Sequence, residues 1–130
     1  MQNEERGCQE YNMQNKPHDL KARTKDFARR IIHLYSSLPK ETVAQVLGKQ
    51  LLRSGTSVGA NYREANRGRS KAEFISKMGD CLRELEETEY WMELLIDEGI
   101  VRPAKTSPLL GETRELIAIF ITILRNSRNK

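Results

Sequence analysis

The stretch from Ser54 to Ser70, SGTSVGANYREANRGRS, sets glycines at 55, 59 and 68 beside the cations Arg63, Arg67, Arg69 and Lys71. Glycine-rich loops next to a cation cradle phosphates, because backbone N–H groups and a lysine neutralise the anion together. That chemistry needs Gly-x-x-x-x-Gly-Lys-Ser/Thr after a strand, and neither Gly55 nor Gly59 is followed by lysine. The dinucleotide fingerprint Gly-x-Gly-x-x-Gly is absent as well. The other reading is a helix thinned on one side. Gly55 and Gly59 are four apart and share a face, and Ser54, Ala60 and Ala65 keep the neighbouring positions small. Two helical glycines cost about 2 kcal/mol against alanine, so a second helix must approach closely enough to offset them. The competing outcome is a kink at this point.

Ser57, Asn61 and Glu64 follow at spacings of four and three and form a polar stripe, with Glu84 a candidate fourth member. Turned inward, each needs a hydrogen-bond partner; turned outward, they are ordinary surface. Chemistry of other kinds finds no residues. His18 and His33 lack the Glu-x-x-His spacing of a di-iron bundle. Cys8 and Cys81 stand too far from each other and from the histidines for a zinc site. No Gly-x-Ser-x-Gly elbow occurs. The expectation is a protein without cofactor, metal or enzymatic activity.

Helical spacing dominates the elements that position these residues. Leu20, Phe27, Ile31, Leu34, Tyr35 and Leu38 line a first helix over 19–38, ended by Pro39. Thr42 with Gln45 reads as a capping box for the second, whose inner stripe is Leu47, Leu51, Ser54, Val58, Asn61 and Ala65. Ser70 with Glu73 caps the third. Its stripe is Phe74, Met78, Cys81, Leu85, Thr88, Met92 and Leu95, closed by Gly99 with Ile100. The fourth runs from Ser107 as N-cap and Pro108 as first helical residue to about Ser127. The expected architecture is all-α: an antiparallel, up-down-up-down four-helix bundle over residues 18–130, behind a flexible N-terminal tail at 1–17.

A charged fraction of 31% and a net charge of +4 suit an ordered, soluble domain that permits an anionic partner without demanding one. Two cysteines make no disulfide framework. The N-terminal residues have no apolar signal core. The longest apolar run, Leu116 to Leu124, is half the ~18 residues of a membrane span. A cytoplasmic protein without membrane contact is expected.

The stretch from Gln50 to Leu95 resembles the four-helix bundle proteins encoded in intervening sequences of bacterial 23S rRNA genes. Gln50, Arg53, Ser57-Val58, Asn61, Glu64-Ala65, Ser70, Glu73-Phe74 and Glu84-Leu85-Glu86 carry the resemblance, which extends over about 20–127. Ala65 departs from the usual glycine and Cys81 from the usual serine; neither threatens the fold. The resemblance implies a bundle that assembles into homopentamers with no known catalysis. A related branch, the accessory protein of diversity-generating retroelements, binds nucleic acid and a reverse transcriptase. It further implies that Ser57, Asn61, Glu64 and Glu84 form a buried or half-buried polar network that fixes helix register.

Charge is segregated. From Arg53 to Lys71 the net is +4, and from Glu73 to Glu98 it is −7. Arg63, Arg67, Arg69 and Lys71 at the second corner, with Lys21, Lys25 and Arg29 at four-residue spacing on the first helix, are the candidate nucleic-acid contacts. They would act on the phosphate backbone of RNA or DNA. The acidic third helix suits a basic protein or a basic helix instead, which makes a protein adaptor the alternative function. Surplus apolar residues nominate Trp91, Ile117, Ile119, Ile121 and Leu124 for a subunit interface.

Overall fold

The computed structural model describes residues 20–129, and within them the chain is four helices in up-down-up-down order. They are α1 (Leu20–Ser36), α2 (Thr42–Asn66), α3 (Lys71–Asp97) and α4 (Pro103–Arg128). The expected tail at 1–17 lies outside the described residues. α2 and α3 form the most extensive pair; α1 packs chiefly on α2, α4 on α3, and α1 meets α4 along the last edge. That leaves α1 diagonal to α3, as in the expected antiparallel bundle.

Local capping sets both ends of α3. Ser70 Oγ accepts the Glu73 N–H at 3.1 Å, and the Glu73 carboxylate reaches back to the Arg69 N–H at 2.7 Å. At the other end of α3, Gly99 takes φ 71°, a conformation that L side chains resist. Its N–H donates to the Ile96 carbonyl and that of Ile100 to Leu95, which is the Schellman arrangement.

Two starts differ from the sequence reading. Glu41, not Thr42, is the N-cap of α2 and makes no side-chain cap. Gln45 is occupied elsewhere: it accepts from the Tyr35 hydroxyl at 3.0 Å and donates to the Pro39 carbonyl at 2.8 Å, tying down the α1–α2 turn. α4 begins at Pro103, so Pro108 lies inside the helix. Pro103 itself supplies the fixed φ that favours a first helical position. The hydroxyls of Thr106 and Ser107 donate to the Arg102 and Pro103 carbonyls and support this early turn.

The glycines of α2 answer the question posed by the sequence. α2 is continuous through Gly55 and Gly59, and α1 fills the side they leave bare. A Cβ on Gly55 would stand 2.7 Å from Ile31, and one on Gly59 3.2 Å from the Thr24 hydroxyl. Gly48, which the sequence reading passed over, does the same against Leu38 and Tyr35. Close approach of α1 therefore offsets the propensity cost.

Between the helices lies one core containing Phe27, Ile31, Leu51, Val58, Met78, Leu85, Met92, Leu95, Leu116 and Phe120. Tyr62 and Phe120 meet edge-to-face at 6.0 Å across it. Tyr62, rather than Asn61, takes the buried position on α2; Asn61 stays half-buried.

Candidate nucleic-acid interface

α2 ends and α3 begins at a tight corner that collects positive charge. The Arg67 N–H donates to the Glu64 carbonyl and that of Gly68 to Ala65, each at 3.1 Å, which turns the chain within four residues. Arg67, Arg69 and Lys71 are exposed there, with Arg63 half-buried one turn earlier. The carboxylates at the corner are already engaged. Glu64 pairs with Lys77 at 2.8 Å, and that contact holds the Glu64 carboxyl below its ordinary range while raising Lys77. Glu73 is held by the Arg69 N–H. The side chains of Arg63, Arg67 and Arg69 consequently have no ion-pair partner among the described residues. A shallow open depression lined by Glu64, Arg67, Gly68, Glu73, Ser76 and Lys77 lies between the two helices here.

Lys21, Lys25 and Arg29 stand exposed on α1, one per turn, and also lack an ion pair among the described residues. Thr24 abuts Gly59, so this stripe starts toward the corner end of the bundle.

Ser57, Asn61, Glu64 and Glu84 share the flank of the α2–α3 pair but are not brought into one network. Ser57 donates to the Arg53 carbonyl of its own helix at 2.6 Å, Glu64 is bound to Lys77, and Glu84 meets Arg53 at 3.4 Å. The buried polar contact lies deeper, on the seam, where Thr88 Oγ1 is 2.8 Å from Ser54 Oγ. Both residues stood on the expected inner stripes, but periodicity gives no signal of how far one helix is slid along another.

The acidic third helix is answered largely within the bundle. Arg53 of α2 contacts Glu84 and Glu87, the latter at 2.6 Å, and Arg114 of α4 contacts Glu89 at 2.7 Å and Glu93 at 3.0 Å. A third guanidinium closes the α1–α4 edge: Arg23 donates to both oxygens of Glu112 at 2.7 Å and to Glu115 at 2.8 Å. The hydrogen bonds to Glu112 outweigh burial and raise the Arg23 pKa. Neither Arg23 nor Arg114 was singled out from sequence; long side chains that reach across helices follow no period.

Of the apolar interface candidates, Ile121 is exposed, while Trp91, Ile117 and Ile119 are half-buried against the core. The Trp91 Nε1–H is buried without an acceptor among the described residues. Leu124 must be removed from the set, because it is 3% exposed and fills the bundle's own core. Tyr90, a further interface candidate beside Trp91 in the sequence, is exposed; exposure that the sequence did not flag falls on Ile32, Val43 and Val46.

Among the described residues no group of three His, Cys, Asp or Glu side chains is placed to hold a metal ion. No helix among them is long and apolar enough to cross a membrane.

The 23S rRNA-intervening sequence protein family matches residues 17–122. The chain belongs to that family. Among solved structures it is similar to a protein of unknown function from the S23 ribosomal protein family of Bacteroides thetaiotaomicron. The two share 41% identity over 81% of this chain and 97% of that one, with a TM-score of 0.76. No curated protein matches the chain at a significant level. Membership of the 23S rRNA-intervening sequence protein family agrees with the four-helix order and with the residues from Gln50 to Glu86 that carried the resemblance; it brings no activity with it.

Proposed function

We propose that this family member is a non-enzymatic, self-associating scaffold that holds RNA or DNA by its phosphate backbone at the α2–α3 corner. The observation that carries the reading is the state of the charges there: Arg67 and Arg69 are exposed and unpaired, while Glu64 and Glu73 are occupied. Guanidiniums without a bonded carboxylate are available to phosphate oxygens, which they meet with forked N–H groups. The aromatic side chains near the corner, Tyr62 and Phe74, are buried or half-buried against the core, so among the described residues no exposed ring offers bases a stacking platform there. Binding is therefore independent of sequence. Self-association, as a homopentamer by the family resemblance, gathers several corners into one particle and raises avidity without new contacts.

The pairing of Glu84, Glu87, Glu89 and Glu93 with Arg53 and Arg114 weighs against an adaptor that uses α3 to capture a basic protein. Fluorescence anisotropy with labelled single-stranded RNA and DNA tests the proposal. Affinity that falls steeply between ~50 and ~200 mM salt supports it. No binding at ~50 mM salt, or an affinity indifferent to salt, rejects it.

A further inference from the structure

Two outer ridges of the bundle are left unanswered by its internal packing. On α1, Lys21, Lys25, Arg29 and Ile32 follow one another at spacings of four, four and three, all exposed, with Ile32 43% exposed. This helix carries net +4, from Lys21, Arg23, Lys25, Arg29 and Arg30 against Asp26. On α3, diagonally opposite, Glu86, Tyr90 and Asp97 form the outer ridge, with Tyr90 54% exposed. Glu84 and Glu87 face Arg53, Glu89 and Glu93 face Arg114, and Asp80 is paired with the exposed Arg83 one turn before Glu86; Glu86 and Asp97 have no ion pair among the described residues. Each ridge thus surrounds one large apolar side chain with charge, positive on α1 and negative on α3.

We infer that the α1 ridge docks on the α3 ridge of a second copy, Ile32 against Tyr90 and Lys25 and Arg29 toward Glu86. The inference rests on the self-association reading above and names its surfaces. Pairing either ridge with its own kind would set like charges against one another. Because the two ridges lie on opposite sides of the bundle, the contact is heterologous, and a docked pair keeps one free ridge of each sign. Such a contact propagates until it closes as a ring, or else continues as a filament. None of the corner arginines belongs to either ridge.

Light scattering of full chains at ~50 mM salt tests this with two charge reversals, Lys25→Glu/Arg29→Glu and Glu86→Lys/Asp97→Lys. Each reversed protein is expected to fall to the single-chain mass of 15.0 kDa with its helical circular dichroism unchanged. Mixed together, they are expected to reassemble, because the reversed ridge of one meets the reversed ridge of the other and the native pair is complementary too. Recovery on mixing separates lost docking from lost folding. Reversed variants that keep the wild-type mass, or monomers that do not recover on mixing, overturn the inference while self-association stands. A wild-type protein that is itself monomeric overturns both.

Discussion

Thr88 Oγ1 lies 2.8 Å from Ser54 Oγ, and both residues are completely buried where α2 crosses α3. The Thr88 hydroxyl is also 2.7 Å from the Glu84 carbonyl, and Ser54 Oγ is 3.3 Å from that of Leu51. Each single proton serves one acceptor at a time, so the two hydroxyls form a short closed chain within an apolar seam. Sliding either helix would break the cross-helix contact and leave each hydroxyl only the carbonyl of its own helix, so this contact favours one relative height of α2 and α3.

Ser54→Ala or Thr88→Val should each cost about 0.5–1.5 kcal/mol, because the remaining hydroxyl keeps the carbonyl of its own helix but loses its cross-helix partner. The double variant should cost less than the sum of the two, by about 1 kcal/mol. Urea denaturation followed by circular dichroism gives all three values. Strict additivity would show that the hydroxyls do not act as a pair.

Gly55 of α2 and Gly111 of α4 should respond with opposite signs. Gly55→Ala gains about 1 kcal/mol of helix propensity but drives a Cβ to 2.7 Å from the fully buried, branched Ile31. Overpacking of this kind costs about 1–3 kcal/mol, so the net effect is loss. Gly111→Ala meets nothing within 4 Å and should raise stability by up to about 1 kcal/mol. Thermal melts of the two variants check the contrast.

Cys81 should be inert while the bundle is folded. Burial pushes its thiol up to about 12, and its Sγ lies 3.6 Å from the Val58 carbonyl. In a Cys8→Ser background at pH 8, alkylation should be far slower than for an unfolded thiol. Linkage adds a pH signature. The folded pKa is raised, so the contribution of Cys81 to stability is complete below the unfolded value of about 9 and is lost as pH rises toward about 12. The stability advantage of the wild type over Cys81→Ala should shrink across that window.

Some of this molecule was plain in its sequence and some was not, for identifiable reasons. The α3 stripe from Met78 to Leu95 came through because a sustained four-three step admits one buried face. Ser70 and Gly99 came through because capping chemistry is local. The start of α4 did not, since Pro103 after Arg102 and Pro108 after Ser107 give competing signals of the same type, and the hydroxyl bonds of Thr106 and Ser107 favour the earlier one. At the candidate site, the gathering of Arg67, Arg69 and Lys71 was legible as a charge run. That Glu64 is taken up by Lys77, leaving those arginines open, depends on how α2 and α3 are rotated about their axes. The same rotation decides which α3 carboxylates meet Arg53 and Arg114, and no period encodes it.

Arg67→Glu with Arg69→Glu should leave melting within about 0.5 kcal/mol of the wild type, since both side chains are exposed and unpaired. Affinity for labelled RNA should fall by tenfold or more, through lost contacts and added repulsion. Unaltered binding would remove the corner as the site.

The central claim is an assembly that carries nucleic acid, and light scattering of the wild-type protein at ~50 mM salt, alone and with single-stranded RNA, addresses it most directly. The expected molar mass is several times the 15.0 kDa of one chain and rises further when RNA is added. A species of one chain's mass that elutes apart from the RNA would contradict it.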